Sequence, residues 1–381
     1  MTLVFSLINS RSLSLRQKLL LLPWGLVVVV TLLAVIGILM LLSASGGNLD
    51  PWAFKQMLRF AAGFTLMIVV AVTNIKVWLR SAWLVYAAGL LLLIAVKFQG
   101  TIEMGAQRWL DLGIMKIQPS ELMKLGFILV MARYFDSRGA DFSGRLVSLV
   151  IPILLVIAPI SLIIVQPDLG TAVIFMIATF LLLFVVGLSW RIIGAICVMV
   201  AAATPFAWHF LHDYQKERIL VFLNPSRDPL GTGYNIIQSK IALGSGGLTG
   251  KGYMLGTQSH LNFLPEKQTD FIFTMLGEEF GLLGGMALLL IYGVLFVYGF
   301  SIATRAASRF GRLVALGVTF FLFLNVFVNV AMVMGMIPAK GVPLPFVSYG
   351  GSSLVVMMIG IGLMMSVWVH RDARLGPGGV E

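Results

Sequence analysis

Asp270 stands where a polar stretch, Leu264-Pro265-Glu266-Lys267-Gln268-Thr269, gives way to the apolar run Phe271-Ile272-Phe273. A residue at such a boundary has two uses. Thr269 or Asp270 can cap the helix that the apolar run predicts, with Pro265 turning the chain just before it. Asp270 can instead act as a general base, its pKa raised by the desolvating phenylalanines and opposed by the charge of Lys267. Glu278 and Glu279 follow roughly 12 Å deeper on the same helix at about 1.5 Å per residue. Adjacent carboxylates point in different directions, so at least one needs a partner inside the fold, for which Lys124 or an arginine is the candidate.

Four other stretches hold polar groups among apolar ones. In 105–126, Arg108 and Lys116 sit near a predicted membrane surface, with Gln118, Glu121 and Lys124 following. Glu121 and Lys124, spaced i, i+3, share a helix face and can pair internally, or Arg108 and Lys124 can grip an anionic head group. Asp168, in Gln166-Pro167-Asp168-Leu169-Gly170-Thr171, suits a helix cap as well as a site. The glycine-rich run 244–252, flanked by Lys240 and Lys251, reads either as a flexible connector or as a nest of backbone N–H groups for phosphate oxygens. It is not a nucleotide loop of the GxxxxGK[ST] type, because Gly252 follows Lys251. Residues 337–353 carry Pro338, Pro343 and Pro345 with several glycines, which forbids a simple helix. That stretch is a rigid turn or the border of a cavity, to which Lys340 and Ser348 would contribute.

The elements that must hold these groups are transmembrane helices. Hydrophobic residues make up 59% of the 381 and charged ones 11%, against roughly 25% charged in soluble domains. The fold class is therefore all-α, a polytopic membrane protein. About ten spans are expected, near 23–43, 57–75, 79–97, 120–135, 146–165, 169–187, 190–211, 271–300, 313–336 and 350–369. The first is too long for the core of a cleaved signal, so it reads as a retained span despite the small residues Ser43-Ala44-Ser45 at its end. Lys and Arg are about twice as frequent in the loops that face inside if both termini are cytoplasmic. This orientation puts 98–120, 166–169 and the long loop 212–270 on the outer face. Within that loop Tyr234, Ile237 and Ile241 repeat at helical spacing, predicting a short amphipathic helix at the membrane surface. No internal repeat is visible, and residues 1–381 read as one domain.

The net charge of +11 belongs to these span flanks, and no basic-aromatic module accompanies it, so nucleic-acid binding is not expected. Cys197 is the only cysteine and the four histidines lack metal-ligand spacing, so neither a disulfide within the chain nor a dedicated zinc site is expected.

Taken in order, the segments AQRWLDLGIMKIQPSELMK, QPDLGTA, GYNIIQSKIALGSGGLTGKG, FLPEKQTDFIF, GEEFG and PLPFVSYGGSS resemble the SEDS family (shape, elongation, division and sporulation). They cover nearly the whole chain. GYNIIQSKIALGSGG is closer to the rod-shape, elongation branch than to the division branch. The resemblance implies a peptidoglycan glycosyltransferase in the bacterial cytoplasmic (inner) membrane, polymerising lipid II at the outer, periplasmic face. It implies Asp270 as the essential catalytic residue. The family often has His where this chain has Gln268, so no catalytic role is assigned at that position. Arg108, Gln118, Glu121, Lys124, Asp168, Lys240, Lys340 and Ser348 are the expected substrate-binding residues. The leaving pyrophosphate would be met by these cations, with or without Mg²⁺ or Mn²⁺; no organic cofactor is expected. A class B penicillin-binding protein transpeptidase and other membrane proteins of the elongation machinery are the implied partners. A lipid II flippase and a non-catalytic scaffold are the competing expectations, since charged groups and broken helices suit a transporter too.

Overall fold

The computed structural model describes residues 14–373, apart from 104–105, 112, 114–115, 139–145, 193, 196–197, 200–201, 203–208, 210–212, 229–230, 262, 265 and 339–340. After a short amphiphilic helix, α1 (Leu15–Leu20), come α2 (Trp24–Ala44), α3 (Ala53–Val72) and α4 (Ile75–Gln99). A small antiparallel sheet follows, in the order β1 (Thr101–Glu103), β2 (Ala106–Asp111), β3 (Lys116–Ile117). The chain continues through α5 (Pro119–Ser137), α6 (Leu146–Val165) and α7 (Leu169–Val186). Between α7 and the next long helix lie α8 (Asp213–Leu223), α9 (Thr232–Ser245) and α10 (Thr257–His260). Three long helices complete the fold: α11 (Ile272–Arg305), α12 (Arg309–Val333) and α13 (Ser352–Val369).

Seven of these helices, α2, α3, α4, α7, α11, α12 and α13, are long and apolar enough to cross a membrane. Two more expected spans are present as helices with different character. Helix α5 carries Glu121, Lys124, Arg133 and Asp136, which a lipid-facing helix would not tolerate. It is instead buried along nearly its whole length. Helix α6 holds Pro152 and Pro159. The expected span at 190–211, with Cys197, falls largely outside the described residues.

Burial explains the arrangement. Helices α12 and α13 are mostly enclosed by protein, and with α5 they form the centre against which α3, α4, α7 and α11 pack. In a membrane, close backbone approach substitutes for the hydrophobic drive available in water. Gly362 of α13 meets Met67 of α3 in this way: a β-carbon at 362 would stand 2.6 Å from the Met67 carbonyl oxygen.

The helix α11 is broken at Gly281 (φ 67°, ψ −162°), and the glycine-rich run fills the break. The Lys251 and Gly252 N–H groups donate to the Glu278 and Glu279 carbonyls, at 3.0 and 2.9 Å. The Leu282 and Leu283 N–H groups donate to the Gly247 and Leu248 carbonyls, at 2.9 and 3.1 Å. The loop thus supplies the partners that 278, 279, 282 and 283 would give one another in an unbroken helix, as an apolar surrounding requires. This corrects the phosphate-nest expectation for 244–252. Lys251 and Gly252 spend their N–H groups on α11, and only glycine fits at 250, where a β-carbon would come within 2.1 Å of the Glu279 carbonyl oxygen.

The partners of Glu278 and Glu279 differ from expectation for the same reason. Glu278, fully buried, accepts from Lys251 Nζ at 2.8 Å and from the Gln258 and Ser259 N–H groups at 2.8 and 3.1 Å. Glu279 accepts from Ser43 Oγ at 2.5 Å and lies 3.3 Å from His260 Nε2. Lys124 pairs elsewhere. The Ser43 contact ties the end of α2, the region with small residues, to α11.

Candidate active site

The polar ends of α5, α7, α11 and α13, with the β-sheet and the 341–351 loop, surround a cavity of about 660 Å³. Six of the nine site residues expected from sequence line it: Asp270, Arg108, Gln118, Glu121, Lys124 and Asp168. They come from four separate stretches of chain.

Asp270 does not cap α11. Phe271 occupies the capping position and no side chain caps the helix, so the carboxylate is left facing the cavity. Phe271 and Phe273 are buried as expected. By accessible area Asp270 is half-buried, because it opens on the cavity while protein crowds its other sides. That desolvation, with the nearby Glu266 charge second, pushes its pKa up to about 7. Lys267 donates to the Ser259 carbonyl at 2.8 Å.

The backbone at this point is gripped from the other side of the cavity wall. The carbonyls of Gln268, Thr269 and Asp270 accept in turn from the Tyr349 N–H at 2.8 Å, Ser348 Oγ at 2.5 Å and Asn329 Nδ2 at 2.9 Å. Ser348 is buried and its Oγ also accepts from the Leu344 N–H at 2.8 Å. It therefore braces the loop against 269 and is absent from the cavity lining. The irregular 341–351 segment keeps its polar backbone satisfied through Asn329, Gln56 and Tyr292, which donate to the Val342, Ser348 and Pro345 carbonyls.

Opposite Asp270, Glu121 Oε1 accepts from Lys124 Nζ at 2.6 Å, so the i, i+3 pair forms. Glu121 Oε2 accepts from Ser353 Oγ at 3.3 Å. The pair is buried, as the internal-pair reading expects, and it lines the same cavity as Arg108. Asp168 likewise does two things: it caps α7 through the Thr171 N–H at 3.1 Å and Thr171 Oγ1 at 2.8 Å, and it faces the cavity. Arg108 donates from Nε to the Gln166 carbonyl at 3.1 Å and from Nη2 to the Pro167 carbonyl, clamping β2 to the turn before α7. The Gln118 N–H donates to Ser352 Oγ at 3.1 Å.

The structure does not bring Lys240 to this lining. Its side chain is exposed on α9 and runs beside Gly335. Lys340 lies outside the described residues. The predicted amphipathic helix is present as α9. Ile236, Ser239 and Ala242 face protein, while Ile241 is 46% exposed on the outer side.

Sequence reasoning missed Arg59, Lys116, Arg218 and Glu266 as cavity residues. Arg59 stacks on Tyr349, its guanidinium carbon 4.6 Å from the ring centroid, and its buried Nη1 has no hydrogen-bond partner among the described residues. It had looked like one more span-flanking arginine. The available signal was its place at the predicted outer end of a span, level with the site loops. Cations and carboxylates therefore share one chamber, and the Asp270 carboxylate faces it with its pKa pushed up to about 7. Among the described residues, no group of three or more His, Cys, Asp or Glu side chains is arranged to hold a metal ion.

The arrangement has relatives. The family model described as cell cycle protein, covering FtsW, RodA and SpoVE, matches residues 23–373. The peptidoglycan glycosyltransferase MrdB of Escherichia coli is 46% identical over 350 residues, 92% of this chain and 94% of that protein. A solved structure described as the structural coordination of polymerization and crosslinking by a peptidoglycan synthase complex is similar at TM-score 0.79. It is 31% identical and covers 92% of this chain and 98% of that one. The crystal structure of the Thermus thermophilus rod shape determining protein RodA is similar at TM-score 0.70 and 28% identity, over 93% and 98% of the two chains. With the motifs in order, the helices in place and a family match along most of its length, this chain belongs to the FtsW, RodA and SpoVE family, the SEDS proteins.

Proposed function

We propose that this multi-pass membrane protein is a peptidoglycan glycosyltransferase that polymerises lipid II during cell-wall elongation, with Asp270 as general base. The observation that carries the reading is the Asp270 carboxylate, its pKa about 7, facing the same chamber as Arg59, Arg108 and Lys124. The similarity to a peptidoglycan glycosyltransferase at 46% identity supports the chemistry.

In the step proposed, Asp270 accepts the proton of the acceptor's GlcNAc 4-hydroxyl as that oxygen attacks the anomeric carbon of the donor's MurNAc. The new C1–O4 bond forms and the bond from C1 to the pyrophosphate oxygen breaks. Polyprenyl pyrophosphate leaves with the bonding electrons. Its charge is met by Arg108, Lys124 and Arg59, which act strongly in a chamber partly shielded from water. Glu121 orients Lys124, and Asp168 and Gln118 offer hydrogen bonds to sugar hydroxyls from the same lining. Lys340 would add charge from the 337–353 turn. The described side chains do not make a metal cage, so no step above runs through a metal; Mg²⁺ or Mn²⁺ would travel with the pyrophosphate, and titration with EDTA reads that requirement.

The proposal places both termini in the cytoplasm, ten spans in the inner membrane, and the chamber at the outer face, where lipid II is presented. It also takes a class B penicillin-binding protein as partner, supported by the similarity to a complex that couples polymerization with crosslinking. Purified protein given labelled lipid II tests the activity: glycan chains support it, and lipid II moved across vesicles without chain formation replaces it with transport.

A further inference from the structure

We propose that Asn329 is a positioning residue for the reaction, fixing where the Asp270 carboxylate stands by holding its backbone carbonyl; this rests on the reading of Asp270 as base. Asn329 lies on α12, fully buried. Its Nδ2 donates to two carbonyls at once, that of Asp270 at 2.9 Å and that of Val342 at 2.7 Å. One amide therefore joins three parts of the chain: the central helix, the end of the loop that carries Asp270, and the 341–351 loop beside it.

Two observations point to position rather than packing. Asp270 precedes a helix that no side chain caps, and what holds its carbonyl is the Asn329 amide from a different helix. The second is the cost of the residue. Among the described residues Asn329 Oδ1 is buried with no hydrogen-bond partner, a desolvation cost that an apolar residue of similar size would avoid. Packing alone does not call for an asparagine there; its two N–H donors do. Ser348 is the weaker neighbour of the same clamp, since its hydroxyl reaches the Thr269 carbonyl, one residue from the carboxylate.

The test measures steady-state polymerisation of labelled lipid II by the purified full-length protein. Asn329→Leu removes both donors, and Asn329→Asp removes the two amide N–H donors at unchanged size, keeping at most one O–H. The expected result is a fall in kcat of about 100-fold, the scale of a misplacement near 1 Å, with KM within about threefold because the cations of the chamber are untouched. In Asn329→Leu the acid limb of the kcat profile moves to lower pH, as the released carboxylate becomes better hydrated. Asn329→Gln, which keeps the donors on a longer arm, recovers more kcat than either. A kcat within threefold of wild type in both Asn329→Leu and Asn329→Asp overturns the proposal, as does a loss seen mainly in KM with the pH profile unmoved. If Asn329→Leu does not fold, Asn329→Asp against Asn329→Gln decides by kcat. Asp270→Asn is measured beside them: if it is inactive while the Asn329 variants match wild type, positioning alone fails, and if it is active, the base assignment fails.

Discussion

Asp270 and Gly341 are in contact across the cavity wall: a β-carbon on Gly341 would stand 3.0 Å from Asp270 Oδ2. Gly341 also has φ +66°, a conformation that L side chains adopt at a cost. The 341–351 loop thus comes close to the carboxylate, and a side chain at 341 would press on it. Gly341→Ala is expected to lower kcat by roughly 10- to 100-fold with a smaller change in KM. Unchanged turnover would mean that the loop does not set the place of Asp270.

Because Asp270 has to be ionised to accept a proton, kcat should rise with pH through about 7 and be lost below it. The stability effect has the opposite sense. The folded-state pKa is raised, so the stability linked to the neutral form is fully present near pH 4 and is lost as pH rises through about 7. Asp270→Asn stays neutral, and its thermal midpoint should exceed that of wild type at pH 8 and match it near pH 4. A lower midpoint at pH 8 would show that burial does not disfavour the charge.

Lys251 and Glu278 join the inserted loop to the broken helix at 2.8 Å, with Glu278 fully buried. Removing one partner of a buried pair costs about 3–5 kcal/mol. Lys251 is partly exposed and Glu278 keeps its backbone donors, so Lys251→Met should fall below that range and Glu278→Ala within it. Chemical or thermal unfolding in detergent checks the order, and equal small losses would contradict the latch.

Arg59→Lys should raise KM for lipid II roughly tenfold while leaving kcat closer to wild type. The planar guanidinium stacks on Tyr349 at the chamber wall and can reach phosphate oxygens bidentately; an ammonium is a point charge without that fork. Unchanged KM would remove Arg59 from the substrate contacts.

Much of this was legible because membrane helices announce themselves. Apolar runs placed α2, α3, α4, α7, α11, α12 and α13 within a few residues, and the i, i+3 spacing of Glu121 and Lys124 on α5 offered the internal pair that forms. Asp270, Glu121, Lys124 and Asp168 were legible as polar groups in costly places, and the structure gathers them into one chamber. What the sequence hid depends on which chain passes which. Nothing local says that the glycine-rich run 244–252 fills a break at Gly281, so a structural insert read as either a flexible connector or an anion nest. Asn329 was hidden in the same way, and Ser348 was expected at the cavity border rather than as a brace, because the carbonyls they hold lie 59 and 79 positions away. Arg59 looked like a topology marker because an arginine at a span end usually is one.

The most direct measurement is the rate of glycan-chain formation from labelled lipid II by purified wild type and Asp270→Asn, at matched fold and matched lipid II binding. Polymerisation by wild type, with a loss of at least about 100-fold in Asp270→Asn and binding retained, is the predicted result. Chain formation by Asp270→Asn at the wild-type rate would contradict the account.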